Sequence, residues 1–239
     1  MAVIRVSQEK VIYSFSPDHK PVAHVDAGST ILFETIDALG GQIRSESDIL
    51  SEIDFSRVNP ATGPVYINEA EPGDTLVVDV RDIRVEDKAV IVAGPGVGAV
   101  PDMLDNFVTR ILDVKWDSVV FPGGLRIPLK PMIGVIGVAP AKESIPTGSP
   151  GPHGGNMDTS DITIGSRVYL PVNVAGGLLA IGDLHACMGD GEVCVAGAEV
   201  SGEVETIVDV IKEISFAWPI VEKRDSWMLV VSAETIDLS

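Results

Sequence analysis

Two short stretches concentrate side chains that ligate cations or carry protons. In GPHGGNMD, His153 is followed three and five residues later by Asn156 and Asp158. Imidazole with carboxylate is a usual ligand pair for a divalent cation, and the flanking glycines let the backbone approach a ligand closely. In GDLHACMGDGEVCVAGAEV, Asp183 and His185 stand two apart. If 181–186 is extended, both point to one face and Leu184 to the other. Asp190, Glu192 and Glu199 follow, so the 17-residue window 183–199 holds four carboxylates and a histidine. Acids crowded beside apolar strands are costly without a compensating cation. Against these readings stand plainer ones: a solvated histidine in a polar turn, and acids on solvent-facing turns.

A third group lies early, in HVDAGSTILFETIDALGGQI. Glu34 and Asp37 end the strand that begins at Thr30 and can project into a shared cavity, whereas Asp26 reads as a turn cap and His19 and His24 as ordinary loop or strand-edge residues. A nucleophilic alternative rests on Cys187, two residues after His185. Cysteine flanked by alanine and methionine is usually buried and inert. The chain has no G-x-S-x-G elbow and no phosphate-binding G-x-x-x-x-G-K-[ST] loop. GPGVGAVPD at 94–102 lacks the spacing of a nucleotide loop.

The elements that must position these residues are extended. Glycine, then a small polar residue, then an apolar run recurs at 28–33, 73–78 and 165–170, each reading as a turn that launches a strand. Further strands are expected over 11–15, 77–85, 132–138, 203–210 and 227–232. Helical signals are weak and confined to 47–55 and 101–107. The segment 139–161 is rich in glycine, proline and small polar residues, and reads as a long functional loop. A soft boundary is expected near 60–74 within a single unit spanning 1–239.

Composition agrees. Among 239 residues, 45% are hydrophobic, enough for a real core, while 24 glycines, 16 prolines and only 5% aromatics favour short aliphatic strands separated by turns. A net charge of −18 argues against nucleic acid and anionic membranes as partners. The uncharged run from Val168 up to Asp183 is too short and too glycine-rich to span a bilayer. Arg5, Glu9 and Lys10 interrupt the opening segment, which predicts no secretory leader. With two cysteines and no disulfide framework, the expected setting is a reducing cytoplasm. Self-association into a homo-oligomer is expected for a β-rich chain of this size.

In their order along the chain, HVDAGSTILFETIDALGGQI, NPATGPVYINEAEPGDTLVVDV, GPHGGNMD and GDLHACMGDGEVCVAGAEV are similar to the motifs of the acetamidase/formamidase family. The resemblance implies a mainly β fold, a jelly-roll-like β-sandwich with additional β-rich segments and few short helices. It also implies hydrolysis of small linear amides such as formamide or acetamide to carboxylate and ammonia, and a bound divalent metal. That chemistry assigns His153, Asp158, Asp183 and His185 as metal ligands, Asp37 as a weaker one, and Glu192 as the acid/base. Two imidazoles favour zinc, with calcium as the alternative. The competing class is a non-catalytic β-sandwich module in which the same cation orders loops around a small ligand.

Overall fold

A computed structural model describes residues 3–238, apart from the side chain of Ile236. Its strands form two large sheets and one small one. The first large sheet has seven strands in the spatial order Ile4–Val6, Thr30–Thr35, Gly202–Ile211, Thr75–Val85, Arg167–Pro171, Ile220–Glu222 and Trp227–Leu229. The second has eleven, and Leu179–His185 lies at its centre, paired with Met132–Gly137, Glu199–Val200 and Ala61–Ile67. Ala61–Ile67 in turn carries Val11–Ile12 and Ala23–Val25, so strands from before and after segment 60–74 share one sheet.

The sandwich follows from the apolar pattern of the strands. Along Thr75–Val85 and Gly202–Ile211, buried and less buried residues largely alternate, as in strands with one face against the core. Ile31, Phe33, Leu76, Val78, Val168 and Val204 of the first sheet meet Ile67, Leu112, Ile133, Ile136, Leu179 and Leu184 of the second in one continuous core. This is the mainly β, two-sheet architecture expected. The three glycine-launched strands form as anticipated, beginning at Thr30, Thr75 and Arg167.

Two helical expectations are corrected. The segment 47–55 contains only single 3-10 turns, at Leu50–Glu52 and from Phe55 onward. The segment 101–107 is turn and bend. Its seven residues are too few to nucleate a stable helix alone, and the Phe107 ring packs against the backbone of Gly94 instead. The long segment 139–161 holds two short strands, Ile145–Pro146 and Gly154–Asn156. Among the described residues, no helix is long and apolar enough to cross a membrane.

One irregularity in the central strand positions the site. Leu179, Ile181 and Leu184 all join the main core, so the two-residue alternation skips at Asp183, whose φ is 55°. On the partner strand Ile133 and Ile136 both face the core, and the skip falls at Gly134. The pairing register continues unshifted, with Ile133 opposite Leu184 and Val135 opposite Gly182. Strict alternation from Ile181 would have driven Asp183 into hydrocarbon; the left-handed residue turns it, with His185, out of the core.

Candidate functional site

Asp183 and His185 open onto a cavity of about 500 Å³. Part of its lining is acidic. Asp158 arrives from the loop after Gly154–Asn156, Glu192 from the loop that follows Met188, and Glu199 from the strand beside Leu179–His185. Glu199 is the cross-strand partner of His185, which sets the two side chains together. His185 Nε2 lies 3.1 Å from Asp183 Oδ1, 3.1 Å from Glu199 Oε2 and 3.7 Å from Glu192 Oε1. Its other nitrogen, Nδ1, is 3.2 Å from the sulfur of Met188.

Glycines make this crowding feasible. A Cβ on Gly134 would stand 2.5 Å from Asp183 Oδ2 and 2.6 Å from Asp158 Oδ1. A Cβ on Gly197 would stand 2.6 Å from His185 Cγ, and the Gly197 amide donates to Glu199 Oε1 at 2.8 Å. Backbone strain collects here as well. Among the described residues eight non-glycines have positive φ, and five of them, Asn59, Asp158, Asp183, Glu192 and Val195, line the cavity. Such residues cluster where surrounding structure holds a functional geometry in place.

The electrostatics are lopsided. Four carboxylates surround one imidazole, and among the described residues no lysine or arginine lines the cavity. Burial pushes the Asp158 and Glu199 carboxyls up to about 8, and the neighbouring Asp183 charge adds to the rise. Burial likewise raises Glu192. For His185 burial opposes the charged form, but the charges of Glu199 and Asp183 outweigh it and hold the ring well above its ordinary value.

The residues fit a divalent cation. Single donor atoms of Asp158, Asp183 and His185 lie within 4.8 Å of one another, as do those of His185, Glu192 and Glu199. Asp158 Oδ1, Glu192 Oε1 and Asn156 Oδ1 are buried without a hydrogen-bond partner. Unpaired buried oxygens of this kind are expensive unless something positive faces them.

Of the residues expected from sequence, the structure brings Asp158, Asp183, His185 and Glu192 together. It does not bring His153 or Asp37 into either group of mutually close donors. The His153 ring packs edge-on against Phe15 at a centroid distance of 5.1 Å, wedged between Gly151 and Gly155. Both its nitrogens lack hydrogen-bond partners, and burial pushes its pKa down to about 4. Asp37 accepts from the amides of Leu39 and Gly41 at 2.9 and 3.3 Å, holding the turn whose Ala38 and Leu39 line the cavity. Glu34 pairs with Arg5. Cys187 lines a separate apolar cavity with Phe121 and Ile91, and burial raises its thiol.

Glu199 and Asn156 are site residues that sequence reasoning noticed but did not assign. The period-two spacing that singled out Asp183 and His185 carries no cross-strand information, and the pairing of Glu199 with His185 exists only in the sheet. The apolar lining of the cavity, Leu39, Leu50, Phe55, Val92, Val97 and Phe107, had no sequence signal. The 94–102 loop belongs here through Val97, and Ala99 N donates to Val193 O at 2.8 Å, tying it to the loop that carries Glu192.

The family profile described as Acetamidase/Formamidase matches residues 4–148 and 141–225. The crystal structure of an acetamidase from Bacillus halodurans is 48% identical, with a TM-score of 0.96 over 98% of this chain and 80% of that one. A predicted acetamidase/formamidase from the thermophile Thermoanaerobacter tengcongensis is 44% identical, also with a TM-score of 0.96, over 99% of this chain and 79% of its own. The formamidase of Methylophilus methylotrophus is 28% identical over 256 residues, which take in 82% of this chain and 63% of that protein. The chain thus spans less than two thirds of the length of that curated relative. With both halves matched by the profile and the whole sandwich shared with structures of such close sequence, the chain belongs to the acetamidase/formamidase family.

Proposed function

We propose that this site hydrolyses the C–N bond of small linear amides, of the formamide and acetamide type, to carboxylate and ammonia. The observation that carries the reading is the convergence of four carboxylates and one imidazole on a cavity that, among the described residues, no lysine or arginine lines. The activities named for the family's relatives agree with it. Asp158, Asp183, His185 and Glu199 would hold a divalent cation, and one nitrogen among carboxylate oxygens favours zinc or manganese over calcium, whose shells are oxygen throughout. The preference for zinc thus rests on His185, since His153 belongs to neither group of mutually close donors. When bound, such a cation supplies Lewis-acid polarisation of the carbonyl and acidifies a water.

The remaining chemistry falls to the chain. Glu192 is more accessible than Asp183 and Glu199, its side chain 17% exposed against 3% and 4%. Its raised pKa suits a group that takes a proton at Oε1 from the attacking water and delivers it to the leaving nitrogen. Asn156 Oδ1, buried and unpartnered on the cavity wall, accepts an N–H of the substrate amide and orients it. Water adds to the carbonyl carbon, the C–N bond breaks, and ammonia leaves with the transferred proton.

The test is metal analysis of the purified protein together with ammonia release from formamide and acetamide, before and after chelation. His185→Ala and Asp183→Asn should each lose metal and turnover. Retention of both in both variants would remove the proposed centre.

A further inference from the structure

We propose that the site prefers amides whose acyl group is apolar and about six to eight carbons long, an inference that rests on the amidase reading and specifies its substrate class. Formamide or acetamide would leave most of the cavity unfilled. At the volume share of a liquid water, about 30 Å³ per heavy atom, acetamide fills roughly 120 Å³. The cavity holds about 500 Å³.

The unused space has a definite chemistry. Besides the acids the lining is aliphatic and aromatic, with Leu39, Leu50, Phe55, Val92, Val97 and Phe107. Leu39, Leu50 and Val92 belong to a small apolar cluster separate from the main core, so this wall is a packed surface. Phe107 is seated there because Gly94 has no side chain: a Cβ at that position would overlap the ring. Phe55, 59% exposed, also lines the cavity. An amide with its carbonyl at the acids meets the apolar lining through its acyl substituent, and a longer acyl group covers more of it than formyl or acetyl does. An eight-atom apolar chain occupies about 240 Å³ and displaces water from surfaces that bind it poorly. The preference should appear mainly in KM, because the acyl contacts are made equally in the bound substrate and the transition state.

The experiment measures ammonia release by the metal-reconstituted full chain from formamide, acetamide, butyramide, hexanamide and phenylacetamide. Burial of each added methylene predicts a rise in kcat/KM of roughly fourfold, and so about 250-fold from acetamide to hexanamide if all four are buried. Leu50→Trp, which adds bulk to the apolar lining, should lower the hexanamide-to-acetamide ratio of kcat/KM at least tenfold. A flat or falling series in the unaltered protein, with acetamide still turned over, overturns the acyl-group preference and leaves the amidase reading standing. Absence of turnover with every amide overturns the amidase reading and this inference with it.

Discussion

Gly134→Ala probes the acidic centre without removing any of its polar groups. Gly134 has no positive φ, so alanine suits its backbone, and elsewhere in a strand the exchange is neutral or mildly stabilising. Here the new methyl would lie 2.5 Å from Asp183 Oδ2, 2.8 Å from Asp183 Cγ and 2.6 Å from Asp158 Oδ1, where ordinary contact begins at 3.4 Å. Both carboxylates must therefore retreat by about 1 Å. Overpacking of this kind costs about 1–3 kcal/mol of stability, which a domain of this size tolerates. A shift of that size in two ligands should weaken metal affinity by about 10- to 100-fold and lower amide turnover by about 100-fold. Calorimetric titration with zinc or manganese and an ammonia-release assay read the two effects, and thermal melts confirm folding. Gly189→Ala is the control: its added carbon meets nothing within 4 Å, and it should behave as the parent. A folded Gly134→Ala protein with parental affinity and turnover would refute the assignment of Asp158 and Asp183 as working ligands.

Glu192→Gln should lower kcat/KM by about 10²- to 10⁴-fold while metal content stays at the parental level; metal lost along with activity would instead make Glu192 a holder of the ion. In the metal-free fold Asp158 and Glu199 are pushed up to about 8, so the native state binds more protons than the unfolded chain from about pH 4 to 8. Stability of the chelated protein should accordingly fall as pH rises through that window. The loaded protein should not share this slope, and the gap in Tm should be widest near pH 8; parallel Tm curves would contradict it. His153 shows the opposite sign. With its folded pKa near 4 against 6.5, the unfolded state protonates first, and about 3 kcal/mol of stability is lost as pH falls from 6.5 to 4. Urea titrations at pH 7 and 4.5 should show His153→Leu losing less by that amount; an equal loss in both proteins would show that His153 is not the group responsible.

The strands were readable because their cause is local. Glycine turns at 28, 73 and 165 and the alternating runs behind them act over a few residues, and those strands form where the pattern placed them. The acids around His185 were partly readable for the same reason, since Asp183, His185 and Glu192 lie within one window. What escaped is non-local. Glu199 becomes a neighbour of His185 only through sheet pairing, and the apolar wall joins segments near residues 39, 92 and 107 that share no motif. For His153 the flanking glycines have a packing role the sequence does not show: the ring is wedged between Gly151 and Gly155, and it belongs to neither group of mutually close donors. The skip in alternation at Asp183 is likewise invisible, because only the fates of Ile181 and Leu184 in the core reveal it.

The left-handed residues around the cavity set evolution two opposing tasks. Glycine at Asn59, Asp158, Asp183, Glu192 or Val195 would relax a backbone held at roughly 1 kcal/mol or more above its comfortable state. It would also erase a carboxylate at three of the five. Selection for endurance alone would therefore drain the centre of its acids, and the sandwich must carry enough surplus cohesion to keep those tense positions chemically useful.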